Sequence, residues 1–133
     1  MGRQGENNRY NQSSLNIGNE MKHLEKNRIP REVTSVHIIG VCGTGMGALA
    51  GMFKEAGIEV TGSDAHVYPP MSTFLLEEDI PVTKGFRPEN LSCRPDLVVV
   101  GNALSRGNPE VEAMLDYGLP YCSLPQALNR FFV

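Results

Sequence analysis

The chain has 133 residues, a formal net charge of -3 and a hydrophobic fraction of 41%, which suit one globular domain with a core of its own. The small negative charge gives no general attraction to nucleic acid or to an anionic membrane, and no apolar run approaches the roughly 20 residues that cross a bilayer. The three cysteines, Cys42, Cys93 and Cys122, form no CxxC pair. This argues against a zinc site or a disulfide framework and favours a cytoplasmic protein.

Residues 1–33 differ in composition from the rest of the chain. They are rich in Asn, Arg, Glu and Ser and contain few periodic apolar residues. Because such a segment buries little surface, we expect a flexible or loosely docked N-terminal arm, followed by a single domain over residues 34–133.

From residue 34 onward, strand patterns and helix patterns alternate. The β-branched run "SVHIIGV" predicts a buried strand. After a glycine-rich loop a helix follows, and Gly57 predicts its end. Apolar residues repeat along that helix at Met46, Leu49, Ala50, Phe53 and Ala56. The next runs predict a second strand in "IEVTGSD", a short helix in "PPMSTFLLEED" and a weak third strand in "IPVTKG".

The second half of the chain continues this alternation. The strongest strand pattern is Leu97–Val100. Asn108 as N-cap, Pro109 at the first helical position and Glu110 in the first turn predict another helix, which Gly118 ends. The run "LPYCS" predicts a fifth strand, and "PQALNRFF" begins a last helix.

This order of elements predicts the fold class. Strands that alternate with helices form parallel sheets with right-handed helical crossovers. We therefore expect a single-domain α/β fold, a Rossmann-like open sheet of about five mainly parallel strands with helices on both faces. Ligands of such sheets bind beyond the carboxyl ends of the strands. That edge collects the segments 40–47, 62–66, 84–88, 101–108 and 122–124.

The glycine-rich loop "GVCGTGMG" does not fit the phosphate loop of ATP-hydrolysing enzymes. Gly40 and Gly45 have the spacing of GxxxxGK[ST], but Met46 and Gly47 stand where lysine and a hydroxyl residue are required. The loop therefore lacks the cation for the terminal phosphates and the magnesium ligand. No other GK[ST] occurs in the 133 residues.

The same loop fits the dinucleotide template GxGxxG only in part. The preceding strand, the following helix and a trailing acid, Asp64, are all in place. However, Cys42 occupies the middle position, where glycine normally lets the backbone approach a pyrophosphate. Gly43 still allows backbone N–H groups to face a phosphate at the helix N-terminus. Cys42 itself is either a small residue in a crowded turn or a nucleophile activated by the helix N-terminus.

The other loops at this edge carry polar candidates with competing roles. Asp64 either accepts hydrogen bonds from a ribose or base, or serves as a turn aspartate. Arg106 is a candidate for a phosphate or carboxylate, although a solvated loop arginine is equally ordinary, and Asn102 adds a donor. Tyr68-Pro69-Pro70 is either a stiff platform for a sugar or base or a rigid connector.

Five stretches, in this order, carry a family resemblance. They are "HIIGVCGTGMGALA", "VTGSDAHVYPPMS", "GFRPENL", "PDLVVVGNALSRGNPEVEAML" and "LPYCSLPQAL". Over about residues 35–133 the chain resembles the N-terminal domain of the Mur ligases. Cys42, "VYPPMS" and "GNALSRGNPEVEA" resemble the branch that attaches a recycled murein tripeptide in peptidoglycan recycling and cell wall biogenesis. The alternative is the branch that attaches L-alanine.

The resemblance implies a substrate and a set of contacts. The substrate would be UDP-N-acetylmuramate, with its diphosphate at the glycine loop. The residues implied as contacts with the UDP-sugar are Cys42, Gly43, Thr44, Gly45, Met46, Ser63, Asp64, Asn102, Ala103 and Arg106.

The resemblance also implies chemistry outside these residues. The family's reaction uses ATP and magnesium in a central domain, and a third domain holds the amino acid or peptide, here the tripeptide. We expect this chain to be the UDP-sugar-binding part of such a ligase, with no catalytic residue, no metal and no cofactor of its own. The competing interpretation is the NAD-binding domain of an oxidoreductase, against which the cysteine at position 42 counts. A third is a non-catalytic nucleotide sensor.

Overall fold

Strands and helices alternate along the chain in the computed structural model, which describes residues 27–101 and 107–133. The strands are β1 (Ser35–Ile39), β2 (Glu59–Asp64), β3 (Val82–Lys84), β4 (Leu97–Val100) and β5 (Tyr121–Ser123). The helices are α1 (Thr44–Glu55), α2 (Met71–Glu77), α3 (Pro109–Asp116) and α4 (Leu124–Phe132), with a 3₁₀ turn at Pro88–Leu91. The predicted order of elements is confirmed.

The strands form one sheet in the order β3-β2-β1-β4-β5, and every neighbouring pair is parallel. Strand β1 lies at the centre, with Val36 opposite Val60 of β2 on one side and Leu97 of β4 on the other. The chain therefore reverses its direction of winding between β1 and β4. This switch point is where open α/β sheets bind ligands.

Helices cover both faces of the sheet, so each face has its own apolar core. On one face, Val36 and Ile38 of β1 pack with residues of α1, α2 and α4. Phe53 of α1 is fully buried there and contacts Phe131 edge to face, with ring centroids 5.1 Å apart. On the other face, Ile39 and its neighbours in β4 pack against α3 and the 3₁₀ turn. The expected Rossmann-like fold is confirmed.

The last residues of the predicted N-terminal arm contact the domain. Ile29 and Val33 pack against the first core, and the Arg130 guanidinium donates to the carbonyl oxygens of Pro30 and Arg31, both at 3.1 Å. Of the two alternatives for the arm, residues 27–33 therefore follow the docked one, because Ile29 and Val33 pack on the core and two backbone carbonyls bond α4. Residues 1–26 lie outside the described residues.

Within the described ranges, no helix has the length and apolar character that a bilayer crossing requires.

Candidate functional site

The end of β2 holds the glycine loop in place. The chain leaves β1 through Gly40, whose φ of 90° is a conformation that favours glycine. The backbone N–H groups of Gly40 and Val41 both donate to the carbonyl oxygen of Ser63, at 2.8 and 3.0 Å. The next N–H, that of Cys42, donates to Asp64 Oδ2 at 2.9 Å. The N–H of Gly43 donates to the Gly40 carbonyl oxygen at 3.1 Å, so four consecutive donors are used before the helix begins.

The following turn leaves its donors free. Gly43 is the N-cap of α1 and provides no side-chain cap, and the first helical bond runs from the N–H of Gly47 to the Gly43 carbonyl. Within residues 27–101 and 107–133, no acceptor takes the N–H groups of Thr44, Gly45 or Met46. Because the helix dipole adds partial positive charge at this end, the turn is suited to bind an anion.

Gly43 directly precedes these donors, and the fold leaves room for a side chain at this position. Its φ of −66° is one that any residue adopts, and a Cβ placed on it would meet only ordinary contacts, the nearest 3.4 Å away at the Gly40 carbonyl oxygen. The fold therefore does not require glycine here. A glycine does keep the approach to the free N–H groups open for a ligand.

A cleft of about 360 Å³ adjoins this turn, a volume within the usual range for small-molecule sites. It lies between the glycine loop and the connection from β2 to α2. Its lining residues are Cys42, Gly43, Asp64, His66, Tyr68, Pro69, Pro70 and Met71. The Tyr68 ring is 61% exposed and stacks on His66, with ring centroids 5.9 Å apart. Such an exposed aromatic face at a cleft is able to stack on a base or a sugar.

Asp64 has a structural role in this cleft. Its Oδ2 accepts from Cys42 and its Oδ1 accepts from the N–H of His66 at 3.2 Å, which is the hydrogen bond of an Asx turn. The turn role considered from the sequence is therefore present. A carboxylate has further lone pairs, so a contact with a ribose stays a prediction.

Cys42 does not have the environment of a nucleophile. Burial raises the pKa of its thiol, and the nearby Asp64 carboxylate raises it further. Reactive thiols have lowered pKa values and a base close by. Neither His37, which bonds Thr61 and Glu110, nor His66, which bonds Tyr68, forms a hydrogen bond with the thiol. The structure therefore favours the small residue in a crowded turn.

The Ser63 side chain lies away from the cleft, contrary to the expected ligand contact. Ser63 is fully buried, and its hydroxyl donates to Glu110 Oε2 at 2.7 Å. The cause is strand alternation: Asp64 points to the cleft, so its neighbour in β2 points beneath the sheet. The contribution of Ser63 to the site is its carbonyl oxygen, which accepts the N–H groups of Gly40 and Val41.

A buried polar cluster lies beneath this edge of the sheet, centred on Glu110. Its Oε2 accepts from His37 Nε2 at 2.6 Å and from Ser63. Its Oε1 accepts from Asn90 Nδ2 at 2.6 Å and from the N–H of Arg87 at 3.1 Å. Glu110 lies in the first turn of α3 as predicted, and because it is 0% exposed it is also a core residue that joins several segments.

Burial and hydrogen bonding act in opposite directions on the pKa of Glu110. Burial raises its pKa, but the hydrogen bonds from His37, Asn90 and Ser63 outweigh that effect and hold the pKa below its ordinary value. No signal in the sequence identified this cluster, because its members come from four separate segments.

Comparison with known proteins now settles the family. The family described as "Mur ligase family, catalytic domain" matches residues 35–132. The chain belongs to the Mur ligase family.

Named relatives of this Mur ligase chain include two ligases for a murein peptide. UDP-N-acetylmuramate–L-alanyl-γ-D-glutamyl-meso-2,6-diaminoheptandioate ligase of Escherichia coli is 53% identical over 96 residues, covering 72% of this chain and 21% of that protein. The solved murein peptide ligase of Psychrobacter arcticus is 49% identical with a TM-score of 0.72, covering 74% of this chain and 20% of that one.

A ligase of the other branch is more distant. The solved UDP-N-acetylmuramate–alanine ligase of Thermotoga maritima is 26% identical with a TM-score of 0.64, covering 68% of this chain and 21% of that one. The Mur ligase chain thus spans about a fifth of the length of each of these relatives.

The described residues of this Mur ligase do not fit magnesium–ATP. Met46 and Gly47 follow Gly45 where a phosphate loop carries Lys and Ser or Thr. Within residues 27–101 and 107–133, no cluster of three His, Cys, Asp or Glu side chains could hold a metal ion. We therefore derive no phosphoryl-transfer step at this loop.

The remaining site residues follow β4. Asn102, Ala103 and Arg106 lie outside the described residues. Asn108 caps α3 as expected, since its Oδ1 accepts from the N–H groups of Glu110 and Val111 at 2.9 and 3.1 Å. The segment 102–106 therefore joins the end of β4 to a firmly capped helix.

Proposed function

We propose that residues 35–133 bind the UDP part of UDP-N-acetylmuramate, within an ATP-dependent ligase that attaches a murein tripeptide to that sugar in peptidoglycan recycling. The observation that carries the proposal is the first turn of α1, whose free N–H groups at Thr44, Gly45 and Met46 have no acceptor in the described residues. A diphosphate supplies the anionic oxygens that such a turn stabilises.

The neighbouring cleft supports the assignment of the rest of the nucleotide. It begins at Gly43 and extends past Asp64 to the exposed Tyr68 ring. A diphosphate on the helix turn would direct its nucleoside into this cleft, where Asp64 faces a ribose and Tyr68 faces a base. Contacts from Asn102, Ala103 and Arg106 complete the proposed set.

Sequence identity supports the tripeptide branch over the L-alanine branch. The relatives named for the tripeptide substrate are 53% and 49% identical to this chain, against 26% for the solved L-alanine ligase. ATP, magnesium and the tripeptide belong to the activity of the whole ligase in this proposal, because the glycine loop does not fit magnesium–ATP.

Ligand titration tests the proposal. UDP-N-acetylmuramate, UDP and NAD are added separately to the chain, and binding is followed by calorimetry and by amide chemical shifts. We expect both UDP ligands to shift amides 43–46 and NAD to leave them unchanged. Selective binding of NAD would overturn the assignment in favour of an oxidoreductase domain.

Gly43→Ala sharpens this test. The added methyl group has room in the fold, with the Gly40 carbonyl oxygen and the Met46 side chain as its nearest neighbours, and we expect it to crowd a diphosphate bound at the adjacent turn. We expect the affinity for UDP-N-acetylmuramate to fall about tenfold, which is about 1.4 kcal/mol, with the melting temperature nearly unchanged. Ala48→Ser, at an exposed position one turn along α1, is the control and should keep the affinity. Unchanged affinity of Gly43→Ala would contradict a diphosphate at this turn.

A further inference from the structure

The Glu110 carboxylate connects two groups of segments with its two oxygen atoms. Oε2 accepts from His37 of β1 and Ser63 of β2. Oε1 accepts from Arg87 and Asn90, on the connection from β3 into the 3₁₀ turn. One buried side chain therefore joins the centre of the sheet to a loop at its ligand edge.

The strand side of this bridge continues to the glycine loop. The carbonyl oxygen of Ser63 accepts the N–H groups of Gly40 and Val41, and the next residue, Asp64, accepts the N–H of Cys42. Whatever fixes Ser63 therefore also fixes the residues that lead into α1. On the other side, Glu110 lies in the first turn of α3, directly after the loop that follows β4.

We propose that Glu110 is a positioning residue for the UDP-sugar site: without contact to the ligand, it fixes the glycine loop relative to the segments that flank it. This inference rests on the proposed function. Glu110 is 0% exposed, so any effect of its substitution on binding acts through the residues that it holds.

The donors on the Oε1 side cannot change their role. The N–H of Arg87 is a backbone group, and Asn90 Nδ2 also donates to the carbonyl oxygen of Gly85 at 3.0 Å. A flipped Asn90 amide would place its oxygen against that carbonyl oxygen. This side of the bridge therefore always needs an acceptor at residue 110.

The donors on the Oε2 side can become acceptors. His37 Nδ1 lies 2.7 Å from the Thr61 hydroxyl, which is able to donate or accept, so either ring nitrogen is able to carry the hydrogen. The carboxylate only accepts, which places the hydrogen on Nε2 in the unsubstituted chain. The Ser63 hydroxyl rotates in the same way.

Because the two sides of the bridge differ in this way, two substitutions of Glu110 distinguish the effect of side-chain length from the effect of charge. In Glu110→Gln, the amide oxygen keeps Arg87 and Asn90 while the amide nitrogen donates toward His37, which moves its hydrogen to Nδ1. Glu110→Asp keeps the charge but is one methylene shorter, so it cannot contact both sides. A positioning role predicts that the aspartate variant is the weaker binder, whereas a purely electrostatic role predicts the opposite.

The experiment measures the affinity of each variant for UDP-N-acetylmuramate by calorimetry, at a temperature where all are folded. We expect Glu110→Asp to bind about tenfold more weakly and Glu110→Gln to remain within about threefold of the unsubstituted chain. The imidazole nitrogen shifts of His37 should report hydrogen on Nε2 in the unsubstituted chain and on Nδ1 in Glu110→Gln. If Glu110→Asp does not fold, Ser63→Ala, which removes one link of the bridge, replaces it with an expected loss of about threefold.

Val111→Ala is the matched control for simple destabilisation. Val111 is the next residue of α3 and its side chain is buried outside the cluster, so this variant loses stability through packing alone. We expect it to keep full affinity. The inference is overturned if Glu110→Asp binds as tightly as the unsubstituted chain, if Glu110→Gln loses as much affinity, or if Val111→Ala does. Absence of binding by the unsubstituted chain would instead overturn the proposed function.

Discussion

The hydrogen bonds to Glu110 and the burial of its side chain have opposite effects on its pKa. Removal from water favours the neutral carboxyl group, while each donor from His37, Asn90 and Ser63 favours the carboxylate. The donors outweigh burial, so the pKa of Glu110 in the folded chain lies below the ordinary value of 4.5. A folded-state pKa below the unfolded value means that the charged group stabilises the fold.

We therefore expect an acid-dependent stability. The contribution of Glu110 is fully present above the unfolded pKa and is lost as the pH falls through the lower folded-state value. The carboxyl ¹³C shift of Glu110 followed against pH should show a midpoint below 4.5, and the free energy of unfolding in urea should fall over the same range. A midpoint above 4.5 would mean that burial outweighs the hydrogen bonds.

Strand β2 meets the glycine loop through a very close contact. Gly62 is buried in β2, and a Cβ placed on it would lie 2.6 Å from the Cβ of Val41. Val41 is itself fully buried and lies in the loop between β1 and α1. Packing at this point therefore requires a residue without a side chain in β2.

Gly62→Ala should destabilise the fold by about 1–3 kcal/mol, because the new methyl group overlaps Val41. Val41→Ala should relieve part of that loss in the double variant, with a coupling energy of at least about 0.5 kcal/mol. Urea unfolding of the two single variants and the double variant gives this cycle. Strictly additive losses would show that Val41 is not the residue that Gly62 accommodates.

Elements are predictable here because their signals are local. The caps and stops around α1 and α3, such as Gly57 and Asn108, lie within a few residues of the helices that they bound. The parallel sheet followed from the alternation of these elements. The partners of Ser63 and Glu110 could not be predicted because they are distant in sequence: no local pattern pairs residue 110 with residues 37, 63 and 90. The glycine-rich turn before α1 was predictable from its glycines, whereas local sequence could not decide between the two roles of Asp64 or show that residues 27–33 are docked.

At the scale of the whole molecule, the first and last segments of the described chain pack against each other. Arg130 of α4 holds the carbonyl oxygens of Pro30 and Arg31, while Ile29 and Val33 cover the first core. The Asp96 carboxylate adds a second tie, accepting the N–H and the hydroxyl of Thr34 at 2.8 and 2.9 Å. Residues 27–34 thus belong to the same packed body as the last helix.

Arg130→Ala should loosen this segment without unfolding the domain. The two lost hydrogen bonds are exposed, so we expect a change in global stability of about 1 kcal/mol or less but faster proteolysis and amide exchange at residues 27–34. Lys54→Ala, which removes one exposed side-chain bond to the Asp79 carbonyl on α2's far end, is the control and should leave residues 27–34 protected. Equal protection in Arg130→Ala would show that Ile29 and Val33 alone hold the segment.

The all-parallel sheet has a consequence for the order in which the chain becomes foldable during synthesis. Strand β1 is central, and one of its two neighbours is β4. Val36 therefore cannot pair with Leu97 until β4 has left the ribosome. Until then one edge of the central strand, with the apolar residues Ile38 and Ile39, has no partner. Parallel strands also lack the fast local route of a hairpin. The nascent chain therefore carries an open, apolar strand edge until β4 has been synthesised, and this is the kind of surface that chaperones cover.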